Sequence, residues 1–337
     1  MPLMTNLDFL TVEEEAVPGA IEPLVDATFE QRIYDLVITP TVEIDDENAK
    51  YATGDHGETL SLTGARMATI SFRCRMSWGG DVTTEPKWWD IAEGCGCSIV
   101  NFTTVGRALE PCKAQDGKTL TMRFLRLERG ATPAALEFAF AGCMGNMVMQ
   151  SEGVGKPWNV LFTFTGKLAT VTDVANGSIP ALTSPDTVAG ERMLSNTVSL
   201  VGLSAQKISS FSLDIGNEIT PEIDQSEATG YKLFNITSRK PRLSVNPLQE
   251  LVATGDYYGK FTTESTGTGA SSITTTGTPP RFTLIVPNGQ IITLAQGARE
   301  GLGNWDVNIK CLRNGTTSAS IEDESSWQLL QGAVAVA

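Results

Sequence analysis

A chain of 337 residues with 41% apolar side chains, 25 basic residues against 39 acidic ones and a net charge of −14 has the length of about two domains and enough apolar material for buried cores. The acidic balance argues against wrapping nucleic acid, which needs Lys and Arg to neutralise phosphate, but it does not exclude a surface that nucleic acid slides past without sticking. No run of about 18 apolar residues is present to span a membrane, the first ten residues lack the basic start of a secretory leader, and the six cysteines, with no CxxC pair among them, read as reduced apolar fillers of a product made in the cytoplasm.

Residues 12–27 begin with Glu13, Glu14 and Glu15 and are interrupted by Pro18 and Pro23, which reads as an extended arm, residues 1–27, ahead of the first domain. A strand candidate over 33–44 follows, broken by Pro40. Residues 68–78 alternate strictly: Ala68, Ile70, Phe72, Cys74, Met76 and Trp78 on one face, Thr69, Ser71, Arg73, Arg75 and Ser77 on the other. A period of two predicts a strand with one buried and one wet side. Trp158, Val160, Phe162 and Phe164 alternate in the same way, as do Phe211, Leu213 and Ile215, and Trp305, Val307 and Ile309.

Two short helices are expected. One covers 85–93, with Thr84 as N-cap, Pro86 in the first turn and Gly94 after it. The other starts at Asn246 as N-cap with Pro247 at its first position, and stops by Gly255. Residues 173–194, rich in Pro, Ser, Asp and Gly, read as a linker. The stretch TTESTGTGASSITTTGTPP (262–280) has no core-forming pattern and reads as a mobile loop. Residues 331–337 form a small apolar tail.

The chain also repeats itself. EGVGKPWNV (152–160) is echoed by EGLGNWDV (300–307), and ITPTVEID (38–45) by ITPEID (219–224), in the same order. Each predicted helix lies between the front and back element of its copy. Self-similarity of this kind indicates duplicated units, here over 28–172 and 195–330. The expected fold is mainly β: two tandem antiparallel β-sandwich or barrel-like domains, each with one short flanking α-helix. The Gly-x-Gly element before each closing strand reads as a tight bend or bulge rather than a ligand loop.

Catalytic chemistry has little to work with, and no catalytic, cofactor or metal residues are assigned. His56, the single histidine, sits in the turn-like Gly54-Asp55-His56-Gly57-Glu58 with no second His or Cys at ligand spacing. Asp45, Asp46 and Glu47 cluster carboxylates that suit a hard cation but lack the calcium-loop spacing; a solvated acidic loop is the simpler reading. Gly94-Cys95-Gly96-Cys97 follows a helix rather than preceding one, so it offers no helix N-terminus to an anion. Trp88 and Trp89 read as core plus a partly exposed ring.

Several blocks in order resemble the major tail tube proteins of long-tailed bacteriophages with non-contractile (siphovirus-type) tails: FLTVEEEAVPGA (9–20), ITPTVEID, KWWDIAEGCG (87–96), FTFTGKL (162–168), FSLDIGNEITPEID (211–224), FNITSRKPRLSVNP (234–247) and EGLGNWDV. The resemblance covers nearly the whole chain, and LDIGNEITP followed by NITSRKP is its most specific part. It implies a structural virion protein, not an enzyme, without cofactors. In such a family, β-sandwiches polymerise into stacked rings around a channel through which double-stranded DNA passes. Partners would be further copies of the chain and the tail terminator, tape measure and distal tail proteins. An acidic lumen would repel phosphate, with Asp45, Asp46 and Glu47 as candidate wall residues. Since tubes of this type are sixfold, a duplicated subunit implies trimeric, pseudo-hexameric rings. The alternative within the same machine is a baseplate hub or distal tail component; a β-sandwich carbohydrate-active enzyme and a monomeric binding module belong to other classes.

Overall fold

The computed structural model describes residues 3–23, 33–45, 62–78, 84–101, 106–112, 117–128, 134–175, 191–263, 268–275, 281–313 and 326–332. It is 64% strand and 7% helix, mainly β with large antiparallel sheets. The first half carries β1 (Leu3–Glu14), β2 (Ile33–Asp45), β3 (Leu62–Arg75), α1 (Trp88–Glu93), β4 (Cys97–Asn101), β5 (Gly106–Pro111), β6 (Leu120–Glu128), β7 (Ala135–Ser151) and β8 (Asn159–Val174). The second half carries β9 (Thr197–Ser199), β10 (Phe211–Asp214), β11 (Asn217–Ile223), β12 (Tyr231–Arg239), β13 (Arg242–Val245), α2 (Val252–Gly255), α3 (Tyr257–Thr262), β14 (Thr268–Thr274), β15 (Thr283–Arg299), β16 (Leu302–Cys311) and β17 (Gln328–Gly332).

The main path of the sheet runs β2-β3-β8-β7-β10-β13-β16-β15-β17-β5-β4. With the strands that branch from this path, β1 and β6 on one side and β9 and β14 on the other, one succession of antiparallel pairings occurs twice in the sheet. In the first half β1 pairs β6, β6 pairs β7, β7 pairs β8, β8 pairs β3 and β3 pairs β2. In the second half β9 pairs β14, β14 pairs β15, β15 pairs β16, β16 pairs β13 and β13 pairs β10. The two series meet where β7 pairs β10. They are tied again where β17 pairs both β15 and β5.

Alternation explains the core. Ala68, Ile70, Phe72 and Cys74 of β3 and Val160, Phe162 and Phe164 of β8 are fully buried, whereas Thr69, Ser71, Thr163 and Thr165 between them are half exposed. Phe72 meets Phe124 of β6 edge-on at a centroid distance of 5.9 Å, although β3 and β6 share no ladder, so the sheet folds over its own interior. β7 makes this possible. It pairs β6 with its first half and β10 with its last four residues, and between them the ladder shifts around Gly142, at φ +63°, a bend that favours glycine. One large hydrophobic cluster holds side chains of both halves, from Leu10 and Val12 to Ile309 and Leu329.

Several expectations are corrected. The N-terminal arm is not a separate extension: β1 pairs antiparallel with β6, and Leu10 and Val12 belong to the core. Glu15 then anchors the turn after it. Its carboxylate accepts from the backbone N–H of Gly142 (2.6 Å) and Gly19 (2.6 Å) and from the hydroxyls of Thr119 (2.7 Å) and Thr121 (3.1 Å). Pro40 does not break β2: among the described residues β2 pairs only with β3, and a missing N–H is tolerated on such an edge strand. The first helix begins at Trp88 with no side-chain cap, and the rings of Trp88 and Trp89 are both fully buried.

The second helix does not start at Asn246. That side chain accepts from the N–H of Ser209 and Ser210, each at 3.0 Å, so it holds another segment and caps no helix. Helix begins only at Val252, and α3 is capped by Asp256, which accepts from Gly259 N–H at 2.7 Å. Within the low-complexity stretch, 268–274 is not a loop. It forms β14, where β9 and β15 supply the partners that its composition could not reveal; Ser271 and Ile273 are buried. Residues 264–267 and 276–280 lie outside the described residues.

Candidate assembly site

The two series meet directly where β7 pairs β10. Phe211, Ser212, Leu213 and Asp214 stand opposite Ser151, Gln150, Met149 and Val148. The apolar side of this joint is sealed: Met149, Ser151 and Leu213 have no exposed surface and Phe211 has 2%. Trp158 packs edge-on against Phe211 at 4.7 Å.

The long hairpin that begins with β10 bends away just past the joint. Gly216 adopts φ +63°, and a Cβ there would lie 2.4 Å from the carbonyl oxygen of Lys240, so the bend requires glycine. Asn217, next in sequence, holds the bend to the first half. Its Nδ2 donates to the carbonyls of Cys95 (2.7 Å) and Gly145 (2.9 Å), its Oδ1 accepts from Arg239 Nε (3.0 Å), and its N–H donates to Asn146 Oδ1 (3.0 Å). Arg239 Nη2 donates to the carbonyl of Gly96 at 2.6 Å, and Asn146 Nδ2 donates to Asp214 Oδ1 at 2.9 Å. Beyond the bend, β11 and β12 form their own two-stranded sheet. Its Tyr231, Phe234, Ile219 and Ile236 close over Met144, Met67 and Ala65 of the first half.

The block LDIGNEITP with NITSRKP is therefore the bend and clamp of this joint. Sequence reading singled it out through resemblance but could not say what Asn217 and Arg239 touch, because their partners lie 22 to 143 residues away. Gly94-Cys95-Gly96-Cys97 also belongs here. Cys95 and Gly96 N–H groups donate to the carbonyls of Ala92 and Glu93, ending α1, and the Gly96 carbonyl receives Arg239. Burial pushes the Cys97 thiol up to about 12, against the opposing pull of Arg239.

At the far ends of the two series the same strands stand open. Among the described residues, β2 pairs with β3 alone, and residues 291–299 of β15 pair with β16 alone. Ile33, Leu36 and Leu294 at these edges are half buried against the core cluster, and Val37 is 56% exposed. The wet face of the sheet at the joint is a groove of about 640 Å³ lined by Gln150, Glu152, Ser212, Ser244, Asp306 and Asn308 among others, mostly hydroxyls and amides with two carboxylates.

Glu300 and Gly301, at φ 51° and 82°, make the two-residue turn between β15 and β16, the left-handed geometry a tight hairpin uses. Its counterpart at 152–158 is a longer loop with Gly155 at φ +75°. Asp45 ends β2; Asp46, Glu47 and the whole turn around His56 lie outside the described residues. Among the described residues no group of three or more His, Cys, Asp or Glu could hold a metal ion, and no helix is long and apolar enough to cross a membrane. Comparison of the chain with models of known protein families and with curated proteins finds no match.

Proposed function

We propose that this chain is two tandem copies of one tube-building unit and that it polymerises into stacked rings, forming the hollow tail tube of a long-tailed, non-contractile phage through which DNA passes into the host. The observation that carries the reading is the pairing series that occurs twice in one sheet, head to tail, with a strand edge at each end that has no partner among the described residues. A head-to-tail contact is heterologous, and heterologous contacts propagate until they close into a ring. An open sheet edge is a liability to a monomer and is removed by closure. The resemblance of the ordered blocks to those of tail tube proteins is what suggests the biological setting of the ring, a virion. Two units per chain make a six-part ring from three chains.

The wall of the channel is the wet face of the sheet. Its hydroxyl and amide side chains at the joint offer phosphate few cations to bind, and the net charge of −14 keeps the assembly repulsive to DNA at long range. Transit is then a matter of sliding without adhesion.

Negative-stain microscopy of the purified protein tests this. Hollow tubes of uniform width are expected, with class averages showing three true and six pseudo-equivalent positions. Single rings that never stack would favour a hub or distal tail component. Monomers at every concentration would overturn the reading, and six chains per ring would overturn the trimer.

A further inference from the structure

The geometry points to a seam between neighbouring chains that copies the joint inside each chain. Residues 293–296 of β15 in one copy pair antiparallel with residues 33–37 of β2 in the next, with Gln296 opposite Ile33, Ala295 opposite Tyr34, Leu294 opposite Leu36 and Thr293 opposite Val37. This rests on the ring reading and adds the edges and their register.

The register follows from the ladders. Val160 and Val307 occupy the same place in the repeated Trp-x-Val element. Val160 lies between Cys74 and Met149, and Cys74 faces Ile33. Val307 lies between Val245 and Leu294, and Val245 faces Phe211. The next row agrees: Tyr34, Arg73, Leu161 and Val148 in one series, Ser212, Ser244, Asn308 and Thr293 in the other. Leu294 thus stands where Met149 stands, and Ile33 where Phe211 stands. In β2 the ladder shifts between Tyr34 and Val37, with Asp35 at φ 56°. The bulged Asp35 is the extra residue, which leaves Leu36 as the counterpart of Leu213. Transferring the observed pairs Phe211 with Ser151 and Leu213 with Met149 to the open edges yields the stated register.

Burial supports the transfer. The core-side residues of the joint, Met149, Ser151, Phe211 and Leu213, are sealed, while Ile33, Leu36 and Leu294 are apolar, half buried and on the core side, as an unfilled copy of the joint requires. The internal joint is four residues long, and Pro40 falls outside the matching patch on β2. A second surface goes with it. The β11–β12 tip covers the first unit of its own chain, whereas the distal part of the β2–β3 hairpin leaves Val42 and Ile44 exposed at 38% and 62%; at the seam that hairpin lies over the second unit of the adjoining copy.

Paired cysteines read the register directly. Tyr34 and Ala295 stand on the wet face, half exposed and exposed, and directly opposed residues of an antiparallel pair lie within disulfide reach. The full-length Tyr34→Cys/Ala295→Cys protein, assembled and then oxidised, is expected to run as covalent dimers and trimers on a non-reducing denaturing gel. Either single variant should stay monomeric there, since all six native thiols are buried. The off-register pair Thr39→Cys/Ala295→Cys should give no covalent species. Rings visible by microscopy without cross-linking of the first pair, or with equal cross-linking of the second, would overturn the seam while leaving the ring reading intact. Protein that forms no rings at all would overturn both.

Discussion

Met149 of β7 faces Leu213 of β10 across the joint between the two pairing series, and neither side chain has exposed surface. Leu294, the ladder counterpart of Met149, is only half buried. The same substitution should therefore act differently at the two places. Met149→Lys buries an unpaired charge and is expected to lower unfolding stability by about 3 kcal/mol or more. Leu294→Lys should cost the monomer about 1 kcal/mol and abolish ring formation. Urea unfolding followed by size-exclusion chromatography separates the two effects.

Asn217 ties the bend of the second hairpin to the first half through side-chain hydrogen bonds to Cys95 and Gly145, and through a third it holds Arg239 of its own hairpin. Asn217→Ala leaves two carbonyls and a guanidinium N–H in need of partners. A loss of about 2 kcal/mol is expected, with protease cutting concentrated in residues 217–239. Cleavage spread evenly over the chain would contradict a local role.

Glu15 gathers four donors from three segments. Glu15→Ala should lower stability by about 3 kcal/mol, because hydrogen bonds to a charged acceptor exceed neutral ones and the donors stay buried. Denaturant titration gives the value. A change below about 0.5 kcal/mol would mean that water replaces the carboxylate freely.

Asp90 supplies a pH dependence. Burial, reinforced by the neighbouring Glu93 carboxylate and opposed by Lys118, pushes its carboxyl up to about 7 from an ordinary 3.8. The folded state then holds a proton that the unfolded state releases. The protonated form's contribution is complete below about pH 4 and is lost as pH rises through 7. Asp90→Asn, neutral at every pH, should match the parent at pH 4 and exceed it by on the order of 2 kcal/mol at pH 8. Equal thermal stability of the two at pH 8 would refute the assignment.

All six cysteines are free and buried. Desolvation raises the thiols of Cys74, Cys95, Cys97, Cys143 and Cys311, Cys97 and Cys311 to about 12. A thiol reagent at pH 8 should find no reactive group in the native protein and six after unfolding, since the thiolate is the reactive form. One fast-reacting thiol in native protein would contradict the burial.

The parts of the fold that could be read from the chain are those with local causes. The alternation in 68–78 placed Phe72 and Cys74 inside, and they are inside. Gly94 follows α1 as expected, but in right-handed conformation; it is small because a Cβ there would lie 2.4 Å from Leu120 Cδ1, and the left-handed residue is Gly96 at φ +68°. The failures have nonlocal causes. Asn246 has the chemistry of an N-cap, but Ser209 and Ser210 reach it first. The Ser/Thr-rich 268–274 carries almost no apolar signal, yet becomes a strand because β15 and β9 flank it. The joint between β7 and β10 was visible only as unexplained sequence blocks, since a glycine at 216 or an asparagine at 217 does not announce its partner.

Amino-acid pattern alone determined that this protein is built of strands with one dry and one wet face, because a period of two leaves a side chain no other way to sort itself from water. It also displayed the echoed Gly-x-Gly and Ile-Thr-Pro elements. Tertiary structure alone decided that the two pairing series lie end to end in one sheet, joined through Met149 and Leu213 and, among the described residues, without a partner at the outer edges of Ile33 and Leu294. Which backbone edge finds a partner depends on strands far apart in the chain, and hydrogen-bond register between them is set by the bends at Gly142, Asp35 and Gly216, not by any property of a single segment.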